Sequence, residues 1–74
     1  MKISLRAARV NSGLSLKEVA RIIGKNVNTV RKWEVGEASV SAIDFLRLCE
    51  LYNMKVDDIF LPNSPHKVHY EEKK

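Results

Sequence analysis

The 74-residue sequence has few of the residues that cross-link a small protein and no apolar segment that would anchor it in a membrane. Its one cysteine, Cys49, excludes an intramolecular disulfide and a zinc site made of several cysteines. No apolar run approaches the ~18 residues of a membrane span, and the polar start lacks the apolar core of a signal peptide. No Ser/His/Asp or paired-carboxylate arrangement fits so small a core. We therefore expect a cytoplasmic protein that is not an enzyme, with no cofactor, no metal and no membrane contact.

Negative charge is scarce in the first half of the chain. Residues 1–36 carry eight Lys and Arg against two Glu, a net charge of +6, whereas residues 37–74 carry a net charge of −2. A basic half joined to an acidic half indicates a face for a polyanion, with nucleic acid the leading candidate. A solvated helical surface with chance asymmetry explains the same charges equally well.

Glycine and proline are also sparse, with three glycines in all and no proline before Pro62. The glycines divide the chain into short segments whose apolar spacing predicts helices. We predict five of these helical segments: 3–12, 15–23, 27–35, 41–52 and a final turn at 56–60. Residues 1–62 form the predicted domain, and residues 63–74 form a tail that is flexible or takes part in dimer contacts. Within the tail, Val68 and Tyr70 alternate with polar residues, as in a short strand.

Start signals mark the second and fourth predicted helices. Ser15 with Glu18 three residues later predicts a capping box, in which each side chain binds a backbone amide of the other residue. Ser41 and Asp44 repeat this spacing. Cys49 falls on the apolar stripe of the fourth helix, which predicts a buried core thiol rather than a nucleophile.

The third predicted helix has two chemically different faces. A projection at about 100° per residue groups an apolar pair and one acid on the inward arc, namely Val30, Trp33 and Glu34. The outward arc groups Asn28, Arg31, Lys32 and Val35. Amide, lysine and arginine side chains can hydrogen-bond base edges and phosphates. A plain solvated face is the alternative interpretation.

The connection between the second and third helices is short. Gly24 tolerates the positive φ that a tight turn needs, and the small Ala20 lets two helices cross closely. The two helices are therefore predicted to form a helix-turn-helix that presents the third helix to a DNA major groove.

Many residues across 5–60 match one family pattern at these spacings and without an insertion. They are Leu5, Arg6, Arg9, Gly13, Leu14, Ser15, Glu18, Val19, Ala20, Ile23, Gly24, Asn26, Thr29, Val30, Trp33, Glu34, Gly36, residues 41–48 and residues 56–60. On these residues the chain resembles the lambda-repressor-like helix-turn-helix family, of the Xre/Cro–CI type. The resemblance implies an all-α, compact five-helix DNA-binding domain whose helices 2 and 3 form the helix-turn-helix.

The resemblance also implies roles for individual residues. The expected base-reading residues are Val27, Asn28, Arg31 and Lys32. The expected contacts to the DNA backbone are Arg9, Ser15, Lys17, Arg21, Lys25 and Asn26. Arg9 and Glu34 match positions that form an ion pair in relatives, which suits Glu34 because an inward carboxylate needs a partner. The implied partner is a double-stranded, pseudo-palindromic operator bound by a weak homodimer.

Departures from the family pattern keep a second hypothesis open. Leu16 and Val35 stand where relatives often have the phosphate-binding Gln and Asn, and Glu37 lies in a loop that is commonly basic. The first hypothesis is a sequence-specific transcriptional regulator of the Cro or small-repressor kind. The second is a protein-interaction module on the same scaffold, such as an antitoxin-like or anti-repressor partner, with weakened DNA binding.

Overall fold

The computed structural model describes residues 2–62. Four α-helices, one short 3-10 turn and a two-stranded sheet make up this part of the chain. In chain order they are β1 (Ile3–Ser4), α1 (Leu5–Asn11), α2 (Leu16–Ile23), α3 (Val27–Val35), α4 (Ala42–Tyr52), the 3-10 turn (Val56–Asp58) and β2 (Ile59–Phe60).

The helices begin at side-chain caps. At α2 the Ser15 amide donates to Glu18 Oε1 at 2.8 Å and the Glu18 amide donates to Ser15 Oγ at 3.1 Å, so the predicted capping box is present. The hydrogen bond that the Glu18 carboxylate accepts from the Ser15 amide lowers the pKa of Glu18. Asn26 and Ser41 accept backbone amides at the starts of α3 and α4. The local sequence therefore determines where these three helices begin.

A single apolar core holds the helices together. Its most deeply buried side chains come from α1, α2, α3 and α4, namely Leu5, Val19, Val30 and Leu48. Cys49 is also buried, as its place on the apolar stripe predicts, and burial raises the pKa of its thiol. The core leaves the outer faces of α2 and α3 exposed on one side of the molecule.

The prediction of five helices is wrong, because residues 2–62 contain four. Residues 56–60 form one 3-10 turn and then the extended strand β2, in which Ile59 is buried. Residues 3 and 4, predicted as helix, form β1 and pair with β2 in parallel, Ile3 opposite Ile59. A helix of so few residues gains few hydrogen bonds, whereas a strand pair buries a β-branched side chain.

The predicted tail at 63–74, with the short strand suggested at Val68 and Tyr70, lies outside the described residues. Within residues 2–62, no helix is long and apolar enough to cross a membrane.

Candidate nucleic-acid interface

The turn between α2 and α3 fixes the angle between the two helices. Gly24 ends α2 with φ +82°, and the Ala20 carbonyl accepts hydrogen bonds from the amides of Gly24 (2.8 Å) and Lys25 (2.9 Å). Ala20 itself is buried where the helices meet. The left-handed glycine and the small alanine therefore let α3 leave the turn directly after α2, with Val30 and Trp33 in the core.

The outward face of α3 is polar and accessible. Asn28 and Arg31 are exposed, Val27 is 40% exposed, and Lys32 is partly buried. Arg31 Nε donates to Asn28 Oδ1 at 2.9 Å, and Arg31 Nη2 lies 3.7 Å from Glu37 Oε1. Asn28 and Arg31 are thus hydrogen-bonded to each other, and an acid from the next loop approaches Arg31.

A basic groove lies beside the start of α3. It has a volume of about 520 Å³ and is lined by Lys17, Glu18, Ala20, Arg21, Lys25 and Val27. In the part of the chain that the structure describes, neither Lys17 nor Arg21 makes a salt bridge. Three cations around one open groove make it a suitable place for a phosphate backbone.

Lys25 also has an intramolecular partner. Its Nζ lies 3.6 Å from Asp44 Oδ2, and Arg47 Nη1 lies 3.9 Å from Asp44 Oδ1. The Asp44 side chain is 13% exposed, and the Asp44 amide donates to Ser41 Oγ at the start of α4. This acid therefore ties the turn between α2 and α3 to α4.

Arg9 and Glu34 form a nearly buried ion pair below the α2–α3 unit. Arg9 Nε donates to Glu34 Oε2 at 2.7 Å, Nη2 donates to Oε1 at 3.3 Å, and Nη1 donates to the Leu14 carbonyl at 2.9 Å. The hydrogen bond to Glu34 raises the pKa of Arg9. Burial, with a smaller contribution from Glu34, raises the pKa of the neighbouring Tyr52 to about 12.

A family model for helix-turn-helix proteins matches residues 5–59, which is more than half of the chain. The chain belongs to the helix-turn-helix family of the lambda-repressor/Xre type. This is a family of DNA-binding transcription regulators and is not typically enzymatic. Searches of curated proteins and of solved structures returned no match.

The structure places most of the expected DNA-contacting residues on one surface around α3. The helix-turn-helix brings Val27, Asn28 and Arg31 to one surface, with Lys17 and Arg21 beside it. Ser15 and Asn26 are exposed there, but their side-chain oxygens cap α2 and α3. Arg9 is apart from this surface, because its side chain is 12% exposed and each of its three nitrogens donates within the protein.

The contacts of two acids with cations of this surface were not predicted from the sequence. Glu37 follows the glycine that ends α3, and Asp44 is 19 positions from the lysine it contacts. The only signal for Glu37 was its departure from a commonly basic loop. The Asp44 contact has no local signal, since it depends on how α4 packs against the turn.

Proposed function

We propose that the protein is a sequence-specific transcriptional regulator of the Cro or small-repressor type that inserts α3 into the major groove of DNA. The observation that carries this proposal is the polar outward face of α3 beside a basic groove of about 520 Å³. A helix fits the major groove, and flanking cations neutralise the phosphates on either side of it.

The α3 side chains supply several kinds of base contact. Asn28 suits a bidentate contact to adenine, Arg31 and Lys32 suit guanine, and Val27 suits the thymine methyl group. These residues occupy the first half of α3 or its middle, and all but Lys32 are exposed. The proposed reading residues are therefore the four expected from the family resemblance.

We assign the contacts to the DNA backbone to the cations of the groove. Lys17, Arg21 and Lys25 line the groove and can approach phosphates while α3 remains in the major groove. For Arg9 we propose a structural role ahead of a phosphate contact, because its donors are already occupied by Glu34 and Leu14.

Selection of duplexes from a random-sequence pool, followed by binding measurements on the recovered duplex, tests the proposed function. We expect one sequence to be enriched and bound about 10³-fold or more tightly than a random duplex at physiological salt. Recovery of no preferred sequence would contradict sequence-specific binding.

Removal of a groove cation should weaken all DNA alike. We expect Lys17→Ala or Arg21→Ala to lower affinity for selected and random duplexes in parallel, since phosphates carry no sequence information. The dependence of log affinity on log salt should become shallower by about 0.9 per lost contact. Lys2→Ala removes the same charge from an exposed residue that does not line the groove, and serves as the control. Equal salt slopes for all three variants would mean that the DNA backbone does not contact this groove.

A weak homodimer is the form we propose for operator binding, because one helix in one groove reads few bases. The outer face of α4 supports this, with Ile43 70% and Leu46 56% exposed. The partner surface would combine α4 with the 3-10 turn and the tail. We expect two half-sites with centres about 10–10.5 bp apart, and a 2:1 complex in sedimentation. A monomer bound fully to a single half-site would contradict this proposal.

A protein-interaction module remains the second candidate function. The observation that favours it is the pairing of two interface cations with acids, Arg31 with Glu37 and Lys25 with Asp44. Such pairing reduces the positive charge available to DNA. A chain that enriches no duplex would favour this candidate.

A further inference from the structure

The Arg31 side chain lies between two acceptors of different kinds. Its Nε donates to the neutral amide oxygen of Asn28, and its Nη2 faces the carboxylate of Glu37 at 3.7 Å. The Arg31 and Glu37 side chains are 44% and 58% exposed. An acid is thus held at the surface that the proposed function assigns to DNA, where a negative charge opposes binding.

We propose that Glu37 is a specificity-determining residue of the DNA interface, weakening sequence-independent binding more than it weakens binding to the operator. It does so by pairing with Arg31 and by repelling phosphates. The inference rests on the proposed function, in which α3 carries Arg31 into the major groove.

On random DNA the effect of Glu37 is electrostatic. Sequence-independent binding depends on cations that neutralise phosphates and release counterions. A carboxylate 3.7 Å from Arg31 lies well within the Debye length, ~8–10 Å at physiological salt, of any phosphate that Arg31 contacts. Glu37 therefore cancels much of the attraction that Arg31 contributes.

On the operator, Arg31 can contact a base while it remains paired with Glu37. A guanidinium carries five N–H groups in a planar fork, of which Asn28 takes the one on Nε and Glu37 faces Nη2. Across residues 2–62, Nη1 donates no hydrogen bond. The Nη1 end of the fork can therefore donate to a guanine O6 or N7 while Glu37 stays in place. Glu37 thus costs the operator complex less than it costs the random complex.

The pair itself contributes little to folding. Exposed ion pairs of this kind are weak, because water screens them and both side chains lose freedom. Glu37→Gln keeps the shape of the side chain and removes only its charge. Asn11→Lys makes the same change of net charge at the exposed end of α1, outside both the α3 face and the proposed partner surface, and is the control.

The test measures binding of the full chain to a random-sequence duplex and to a duplex selected by the wild-type protein, over a range of salt. For E37Q we expect affinity for the random duplex to rise about threefold to tenfold and its salt slope to steepen by about 0.9. Affinity for the selected duplex should change less than about twofold, so the specific-to-random ratio falls. Asn11→Lys should leave that ratio unchanged.

Arg31→Ala, made in both backgrounds, shows whether Glu37 acts through Arg31. We expect it to lower random-duplex affinity more in the E37Q background than in the wild type. Equal effects in both backgrounds, or E37Q indistinguishable from Asn11→Lys, would overturn the inference and leave the proposed function standing. A wild-type protein that binds no duplex would overturn both.

Discussion

Replacing Arg9 with alanine is expected to lower the free energy of unfolding by about 3–5 kcal/mol. The Glu34 side chain is 6% exposed and receives two hydrogen bonds from Arg9, so the variant leaves a carboxylate nearly buried and without its cation. It also removes the donor to the Leu14 carbonyl. Thermal or urea unfolding followed by circular dichroism measures the loss.

Arg6→Ala is the matched control for this variant, because Arg6 is on the same helix but exposed. We expect it to change the free energy of unfolding by no more than about 0.5 kcal/mol. The double variant Arg9→Met with Glu34→Leu should recover part of the loss, since no charge is then left buried. A melting temperature for Arg9→Ala within a degree or two of the wild type would mean that the pair is not a structural element.

The second large effect is expected at the reading face of α3. Asn28→Ala or Lys32→Ala should cost about 1–3 kcal/mol of binding free energy on the selected duplex and little on a random duplex. The reason is that a lost base contact removes discrimination, whereas phosphate contacts remain. Affinities of each variant for both duplexes, at one fixed salt concentration, give the ratio directly.

Two controls accompany the reading variants. Asn11→Ala removes an exposed amide at the end of α1, and Lys2→Ala removes an exposed lysine just before β1. Both should preserve the specific-to-random ratio. If the ratio is also preserved in Asn28→Ala and Lys32→Ala while the proteins stay folded, α3 is not the reader and the interaction-module function gains support.

Local signals account for the parts of the fold that the sequence predicts well. The cap residues Ser15, Asn26 and Ser41 each hydrogen-bond an amide within three positions, so their effect is readable from neighbouring residues. Gly24 and Gly36 end helices with positive φ for the same local reason. The inward position of Trp33 follows from helical periodicity alone.

Long-range packing accounts for what the sequence does not predict. Ile59 is extended because Ile3, at the other end of the domain, offers a strand partner. The Lys25–Asp44 contact depends on where α4 crosses the turn. In the candidate site, helical periodicity predicted which α3 residues face outward, but it did not predict that Arg31 contacts both Asn28 and Glu37.

The central claim is that α3 is the element that meets the bases. Backbone amide chemical shifts, recorded as the selected duplex is added to isotope-labelled protein, test it most directly. The account predicts that the largest changes run along α3 from Val27 to Lys32, with further changes at the start of α2. Saturated binding that leaves the α3 amides at their free positions would contradict it.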